Sequence, residues 1–455
     1  MKEKYVVCVD TGSTYTKAAA VVVAGSSAGR LLATAAVPTT VGPGLDILTG
    51  IDDAVARVVA EARGEPLDVR ACSSAGGGLR LAVVGHERVV TAEAGARVGL
   101  SAGAKLVHIS SGPLDESGLD LLSVAGPDIV LLVGGTDGGA GDVLRHNASA
   151  LARGGPLVPY VVAGNAVARE AAVAEFTGRG HTVTAAANVL PRIGVLDPHP
   201  ARAAIRDAFV HHVIGGKGLT QSPRFEQMVR GATPDLVLAG VELLADSGVG
   251  DVLLVDVGGA TTDVYSALTP DPDAAAHRDV VEVIWRGRTV EGDLGMRWGA
   301  MGVALAARTE RLIAEAIGLE GLDAAARIRH ENPTWLPTSD KELAGEALVA
   351  RLALTVALRR HARASDTVEG RDPGRDLSGV RIVIASGGVF RHSSPAFIRE
   401  VLAPITTDIA GGWRMPRAPR VCVDSHYVVA AAGLLAAEYP EAALALLRGN
   451  VLIDS

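Results

Sequence analysis

Aromatic residues and cysteines are scarce in this chain of 455 residues, and basic residues do not outnumber acidic ones. Aromatics make up only 3% of the sequence, so Ala, Val and Leu have to fill the cores. The formal net charge of −8 argues against nucleic-acid binding, which would need an excess of basic residues. Cys8, Cys72 and Cys422 lie far apart and form no CxxC pair, which predicts buried free thiols in a reducing compartment rather than disulfides or a zinc site.

Long apolar runs are also absent. None reaches the roughly 20 residues that a membrane-spanning helix needs. Asp10 interrupts the first apolar run almost at once, which argues against a signal peptide and predicts a cytoplasmic protein that does not bind membranes. The length fits two to four domains.

Val- and Ile-rich runs alternate with Ala-rich helical stretches, which is typical of an α/β fold with largely parallel sheets. Residues 105–190 give strand, helix, strand, helix, strand, helix, strand, the pattern of a small doubly wound unit. The predicted division is a first lobe at 1–104, an inserted Rossmann-like α/β domain at 105–190, and a second lobe at 191–455 that the last strand and helix close.

The segment "VVCVDTGSTYTK" predicts a buried strand that ends at Asp10 and turns back into a second strand. A turn of this kind presents backbone N–H groups and hydroxyls to a phosphate, and Gly12 permits the close approach. Lys17 supplies a positive charge, and Asp10 is suited to hold the waters of a magnesium ion. An ordinary hairpin with polar turn residues is the alternative.

A second segment, "LLVDVGGATTDV", repeats the design with Asp256, Gly258, Gly259 and Thr261. Two such hairpins would grip one nucleotide from two sides, with Asp256 facing the magnesium ion or orienting the attacking water. Phosphoryl transfer needs mainly charge neutralisation and positioning, which this arrangement supplies. In a third segment, "VRIVIASGGVF", the strand ends in Ser386, Gly387 and Gly388, where backbone can lie against adenine or ribose. An ordinary glycine turn after a strand is the alternative.

Two smaller patterns are less specific. Glu291 and Asp293 follow a predicted strand, and either a place in the cleft or a solvated loop fits them equally well. Asp424 precedes the last apolar helix and is predicted to cap its N-terminus.

In this order the segments DTGSTYTK, DVGGATTD and SGG resemble the phosphate and adenosine motifs of the actin-like ATPase superfamily, which includes actin, Hsp70 chaperones and sugar kinases. The resemblance implies two lobes built on ribonuclease H-like domains, with Mg²⁺-ATP between them. It implies nucleotide contacts from Thr11, Gly12, Ser13, Thr14, Lys17, Gly258, Gly259, Ala260, Thr261, Thr262, Gly387 and Gly388, with Asp10 and Asp256 as the catalytic and metal-holding residues.

The stretches "PDIVLLVGGTDGG", "NVLPRIGVLDPHPAR", "TVEGDLGMRW", "IASGGVFRH" and "DSHYVVAAAGLL" make the chain similar to the glutamate mutase MutL (GlmL-type) family from end to end. That resemblance implies an ATP-dependent accessory protein that reactivates an adenosylcobalamin-dependent mutase, such as methylaspartate (glutamate) mutase or an aminomutase, and binds its subunits. A small-molecule kinase and a non-enzymatic actin-like scaffold remain alternatives, and a homodimer is left open.

Overall fold

The computed structural model describes residues 3–42, 44–75, 79–87, 91–102, 104–214, 218–269, 285–312, 318–363, 365–367, 370–372, 374–409 and 411–452. The chain forms two compact units. The first comprises Met1–Gly240, Pro270–Gly287 and Ala430–Leu446; the second comprises Val241–Thr269, Arg288–Val429 and Leu447–Ser455. None of the helices in the described ranges is long and apolar enough to cross a membrane.

The strands, in chain order, are β1 (Tyr5–Thr11), β2 (Tyr15–Val22), β3 (Leu31–Pro38), β4 (Asp68–Ser73), β5 (Arg80–Gly85), β6 (Lys105–Ser111), β7 (Ile129–Leu132), β8 (Tyr160–Val162), β9 (Val183–Ala185), β10 (Val229–Ala232), β11 (Val252–Val257), β12 (Thr262–Ala267), β13 (Arg286–Glu291), β14 (Ser365–Thr367), β15 (Gly370–Asp372), β16 (Ile382–Ser386) and β17 (Arg420–Val423).

The α-helices are α1 (Ile47–Ala62), α2 (Glu93–Ser101), α3 (Glu116–Ala125), α4 (Asp142–Gly154), α5 (Ala166–Thr177), α6 (His199–Ala208), α7 (Pro223–Met228), α8 (Thr233–Leu244), α9 (Ala300–Thr309), α10 (Gly318–Glu331), α11 (Asp340–Ala362), α12 (Gly388–Arg391), α13 (Pro395–Leu402), α14 (Pro404–Thr407), α15 (Val428–Ala436) and α16 (Pro440–Asn450).

The first unit contains a five-stranded sheet in the order β3-β2-β1-β4-β10. Neighbouring strands are antiparallel from β3 to β1 and parallel from β1 to β10. β1 is buried along nearly its whole length, which is why its sequence is a continuous apolar run rather than an alternating one. The carboxyl ends of β1, β4 and β10 therefore meet at one edge of this sheet.

The second unit repeats this plan in the sheet β13-β12-β11-β16-β17. Here β11 is antiparallel to β12 and parallel to β16, which is parallel to β17. Both sheets thus place a hairpin and two parallel strands in the same spatial order. The predicted fold class, an actin-like ATPase fold with ribonuclease H-like domains, is confirmed by this repetition.

An all-parallel sheet in the order β6-β5-β7-β8-β9 is inserted between β4 and β10. Helices α3, α4 and α5 alternate with its strands, as in the predicted Rossmann-like insertion. Val7 and Val9 of β1 belong to the same buried cluster as Leu81 and Val83 of β5. One face of the inserted sheet therefore shares a core with the first sheet, whereas its other face, with Ala82 and Val84 of β5, packs into a separate cluster against helices α3, α4 and α5.

The arrangement differs from the predicted boundaries 1–104, 105–190 and 191–455 at three points. β5 lies before residue 105 in sequence but within the inserted sheet, because it pairs in parallel with both β6 and β7. β10 lies after residue 190 but pairs with β4 of the first sheet. Ala430–Leu446, near the end of the chain, belongs to the first unit.

Helices α8 and α15 pack closely in the first unit, and Gly433 makes the contact possible. A Cβ at position 433 would lie 1.8 Å from the carbonyl oxygen of Leu236. Leu236 itself is buried, so the backbone of α8 has little room to retreat.

We expect Gly433→Ala to destabilise the protein by about 1–3 kcal/mol, because the added methyl group overpacks this contact. Gly449→Ala in α16 is the matched control, since nothing lies within 4 Å of a Cβ there. The control should be unchanged or more stable by up to about 1 kcal/mol. Urea unfolding measures both variants, and equal midpoints for them would contradict the expected crowding.

Candidate functional site

The first hairpin turns from β1 to β2 through Gly12, Ser13 and Thr14. The Gly12 N–H donates to the carbonyl oxygen of Tyr15 at 3.0 Å, and a Cβ on Gly12 would lie 3.0 Å from that same oxygen. The turn carbonyls are also engaged, since Thr39 donates its hydroxyl to Gly12 O and its N–H to Thr14 O, each at 2.9 Å.

The N–H groups of Ser13 and Thr14 remain available in this hairpin. Neither donates to any other residue in the described ranges, and both residues are exposed. Consecutive N–H groups at an exposed turn form an anion-binding concavity of the kind that receives phosphate oxygens.

Asp10 lies at the end of β1, opposite Lys17 in the strand register. Lys17 Nζ is 3.4 Å from Asp10 Oδ2, and the carboxylate is mostly buried. Its other oxygen, Oδ1, accepts the Thr233 hydroxyl at 2.6 Å and the Cys72 thiol at 3.6 Å. Burial raises the pKa of the Cys72 thiol well above its usual value, and the nearby negative charge of Asp10 raises it further. The thiol therefore keeps its proton and can donate it in a hydrogen bond.

Thr233 and Cys72 were not predicted as site residues. Their side chains reach Asp10 because β4 and β10 run parallel to β1 and end at the same edge. The sequence signal that could have found them is the position of each at the carboxyl end of a strand, once the sheet order is known. Cys72 was predicted only as a buried free thiol, which it is.

Thr11 differs from its predicted role as a phosphate contact. Its side chain is fully buried, and its hydroxyl donates to the Cys72 carbonyl oxygen at 2.9 Å. Its own carbonyl oxygen accepts N–H groups from Ser74 and Ala75. Thr11 therefore joins β1 to the end of β4, and its hydroxyl is not offered to a ligand.

The second hairpin, between β11 and β12, closes in the same way as the first. The Gly258 N–H donates to Thr261 O at 2.9 Å, and a Cβ on Gly258 would lie 3.0 Å from that oxygen. Among the described residues, the N–H groups of Gly259, Ala260 and Thr261 have no acceptor. The two hairpins thus share both their closing hydrogen bond and a run of available donors.

A neighbouring loop holds the second turn from behind. Met296 N–H donates to Gly258 O at 2.9 Å, and Arg297 N–H donates to Gly259 O at 2.7 Å. Cβ atoms on Gly295 and Gly299 would each lie 2.5 Å from backbone atoms of Ala260. These contacts explain Gly295 and Gly299 of the segment "GDLGMRWG", which the sequence analysis did not assign to the site.

The residue facing each site aspartate differs between the two hairpins. In the first hairpin Asp10 is paired in register with Lys17, whereas in the second Asp256 is paired with Asp263. Asp263 is buried and accepts Nε and Nη2 of Arg288 at 3.1 and 2.6 Å. Burial lowers the pKa of Arg288, but Asp263, with further contributions from Tyr265 and Asp256, holds that pKa above its ordinary value.

Thr262 also differs from its predicted role. It is paired in register with Val257, so its side chain lies on the opposite face of the sheet from Asp256 and Asp263. Thr262 is fully buried, and its hydroxyl has no hydrogen-bond partner among the described residues. It is therefore not positioned to share a ligand with the Asp256 side chain.

The third predicted segment lies beside Asp256. Ser386 is paired in register with Asp256, and Gly387 follows with a φ of 112°. A Cβ on Gly387 would lie 2.3 Å from Val257 O and 3.2 Å from Asp256 Oδ1, so only glycine fits. Gly388 then begins α12. Asp256, Gly387 and Gly388 are thus brought together within the second unit.

The structure shows what the acidic residues of the two less specific sequence patterns bind. Arg360 binds both acids, Glu291 at 2.6 Å and Asp293 at 2.7 Å, so both carboxylates are ion-paired. Asp424 accepts the N–H groups of Val428 and Val429 at 2.8 and 3.2 Å, and the predicted helix cap is confirmed.

The Asp10 carboxylate fits a magnesium ion that is held through its waters. Magnesium is usually held by one or two carboxylates together with waters and phosphates, not by an all-protein cage. In the described ranges no three His, Cys, Asp or Glu side chains cluster as a metal site. This mode of binding is matched by one carboxylate that can hold the ion's waters, beside backbone N–H groups that can bind phosphate oxygens.

Comparison with known proteins gives the chain a family. A family model described as MutL protein matches residues 6–451. Protein MutL from Clostridium tetanomorphum is 33% identical over 459 residues, a span of 97% of each chain. The chain belongs to the MutL family. Its membership, predicted from sequence motifs, is therefore confirmed.

Solved structures similar to this MutL-family chain include nucleotide-free acetone carboxylase, with a TM-score of 0.40 and 13% identity over 96% of this chain and 71% of that one. Glycerol dehydratase reactivase has a TM-score of 0.37 and 12% identity over 95% of this chain and 99% of that one.

The buried ion pair beneath the second hairpin of this MutL-family protein can be tested directly. Arg288→Met should destabilise it by about 3–5 kcal/mol, because Asp263 is then left buried without its counter-charge. Arg308→Met breaks the half-exposed pair with Asp323 and should change the free energy of unfolding by no more than about 1 kcal/mol. Chemical denaturation of both variants is the measurement, and equal losses would mean that the Asp263 pair is not buried.

Proposed function

We propose that this chain is an ATP-dependent accessory protein that reactivates an adenosylcobalamin-dependent mutase, such as methylaspartate (glutamate) mutase or an aminomutase. One observation carries the proposal: in a MutL-family chain, two hairpins with the same closing hydrogen bond each place an aspartate beside a row of available N–H groups. An aspartate beside such donors suits the magnesium ion and the phosphates of a nucleoside triphosphate.

Each residue then has a defined task. Ser13 and Thr14 donate N–H groups to phosphate oxygens, and Lys17 adds a positive charge. Asp10 holds the hydration shell of a magnesium ion, which when bound would neutralise phosphate charge. Thr11 supports the strand end from within the core.

The second hairpin offers the same kinds of groups within its own unit. Gly259, Ala260 and Thr261 offer N–H groups to phosphate oxygens, and Asp256 orients the attacking water or faces a magnesium ion. Gly387 and Gly388 give adenosine a surface without side chains. Thr262 contributes to the core of its sheet and not to the nucleotide.

Reactivation gives this ATPase a physical purpose. A radical mutase that loses its adenosyl group traps inactive cobalamin in a closed interface. An ATPase whose two nucleotide states differ in affinity for the open and closed mutase can shift the mutase toward opening. The mutase subunits are therefore the proposed partners; cytoplasmic location and a homodimer stay predictions.

Asp10→Asn should weaken Mg²⁺-ATP binding by about 10- to 100-fold, because it removes a carboxylate while keeping its size. Calorimetric titration with a non-hydrolysable ATP analogue measures the affinity. Asp53→Asn is the control, since Asp53 makes an exposed ion pair with Arg57 and lies on α1. Wild-type affinity in the Asp10 variant would remove the site assignment.

Reactivation itself is tested by incubating the protein with inactivated glutamate mutase, Mg²⁺-ATP and fresh adenosylcobalamin. We expect mutase activity to return with ATP and wild-type protein, and not with Asp10→Asn. A phosphorylated metabolite in place of free phosphate would favour the kinase alternative. ATP-dependent filaments on pelleting, without recovered activity, would favour the scaffold.

A further inference from the structure

The carboxylate of Asp10 is held from one side by two donors that come from other strands. Thr233 Oγ1 lies 2.6 Å from Asp10 Oδ1, within the range of a charge-assisted O–H···O⁻ hydrogen bond. Cys72 Sγ lies 3.6 Å from the same oxygen. Both donors reach Oδ1, whereas Oδ2 has Lys17 Nζ at 3.4 Å.

The fold aims Thr233 at Asp10 through an irregularity in β10. Val229 is paired with Ala71, but Ala232 is paired with Ser73, so β10 carries one more residue than β4 over this stretch. A bulge of this kind bends a strand and redirects the residues that follow it. Thr233, the next residue, consequently points along the edge of the sheet to β1.

The element that carries Thr233 is firmly anchored. Thr233 begins α8, and Asp235 in its first turn is buried with ion pairs to Arg202 and Arg206. Leu236 is also buried. The hydroxyl is thus presented from a fixed helix start and not from a mobile loop.

We propose that Thr233 is a positioning residue for nucleotide binding. By donating to Oδ1, with Cys72 as a weaker second donor, it fixes the rotation of the Asp10 carboxylate and leaves Oδ2 for the hydration shell of magnesium. This inference rests on the proposed function, since it assigns magnesium to Asp10. It predicts an effect on the dependence of binding on magnesium and not on nucleotide affinity in general.

The test compares Thr233→Val, which keeps the shape and removes the hydroxyl, with Thr233→Ser, which keeps the hydroxyl. Binding of a fluorescent, non-hydrolysable ATP analogue is followed while magnesium is titrated, and again in EDTA. Thr233→Val should raise the magnesium concentration for half-saturation by about tenfold, the effect of losing one hydrogen bond to a charged group. Thr233→Ser should stay within about threefold of wild type, and affinity in EDTA should not change in either variant.

Cys72→Ala provides a second measurement if Thr233→Val does not fold. Because a thiol is a weak donor, we expect a shift of about two- to threefold in the same direction. No shift in Cys72→Ala together with no shift in a folded Thr233→Ala would overturn the inference.

The other outcomes are also decisive. Equal losses with magnesium and in EDTA, or a loss in Thr233→Ser as large as in Thr233→Val, would make Thr233 a structural residue and overturn the inference alone. A wild-type protein whose nucleotide binding ignores magnesium would remove the magnesium assignment of the proposed function, and this inference with it.

Discussion

A hydrogen bond from a glycine N–H to the carbonyl oxygen three residues later shapes the candidate phosphate-binding hairpin in each of the two units. It closes the turn at Gly12 and again at Gly258, at 3.0 and 2.9 Å. The closure brings backbone so near that a Cβ would meet the accepting oxygen, and it leaves the following N–H groups without an internal acceptor. Each aspartate is the last residue but one of the strand before this turn, so its place beside those donors follows from the same constraint.

The two hairpins share a backbone but differ in electrostatics. In the first, the residue facing the aspartate is Lys17, which is partly exposed and can meet an anion. In the second, the equivalent residue is Asp263, whose charge is compensated by the buried Arg288. The first turn therefore has a cation opposite its aspartate, whereas the second has a carboxylate at that position and offers its backbone N–H groups. This asymmetry supports different proposed roles for Asp10 and Asp256.

The inserted sheet affects the site through the strand that follows it. The chain leaves the first sheet after β4 and returns at β10, which pairs with β4 again. Only this return brings Thr233 to the edge where Asp10 lies. The insertion and the first sheet contribute residues to the same buried cluster. A substitution that changes side-chain volume in one of them therefore alters the packing of the other.

The sequence by itself determined the hairpins, the glycines at their turns, the two site aspartates and the presence of an inserted parallel sheet. These features depend on residues close together in the chain, whose spacing sets strand, turn and burial. The tertiary structure alone decided that Thr233 and Cys72 hold Asp10, from 223 and 62 residues away. It also decided that Thr11 is used in the core and that Thr262 faces away from Asp256. Such contacts follow from strand order and pleat register, which bring distant segments together and which no local pattern encodes.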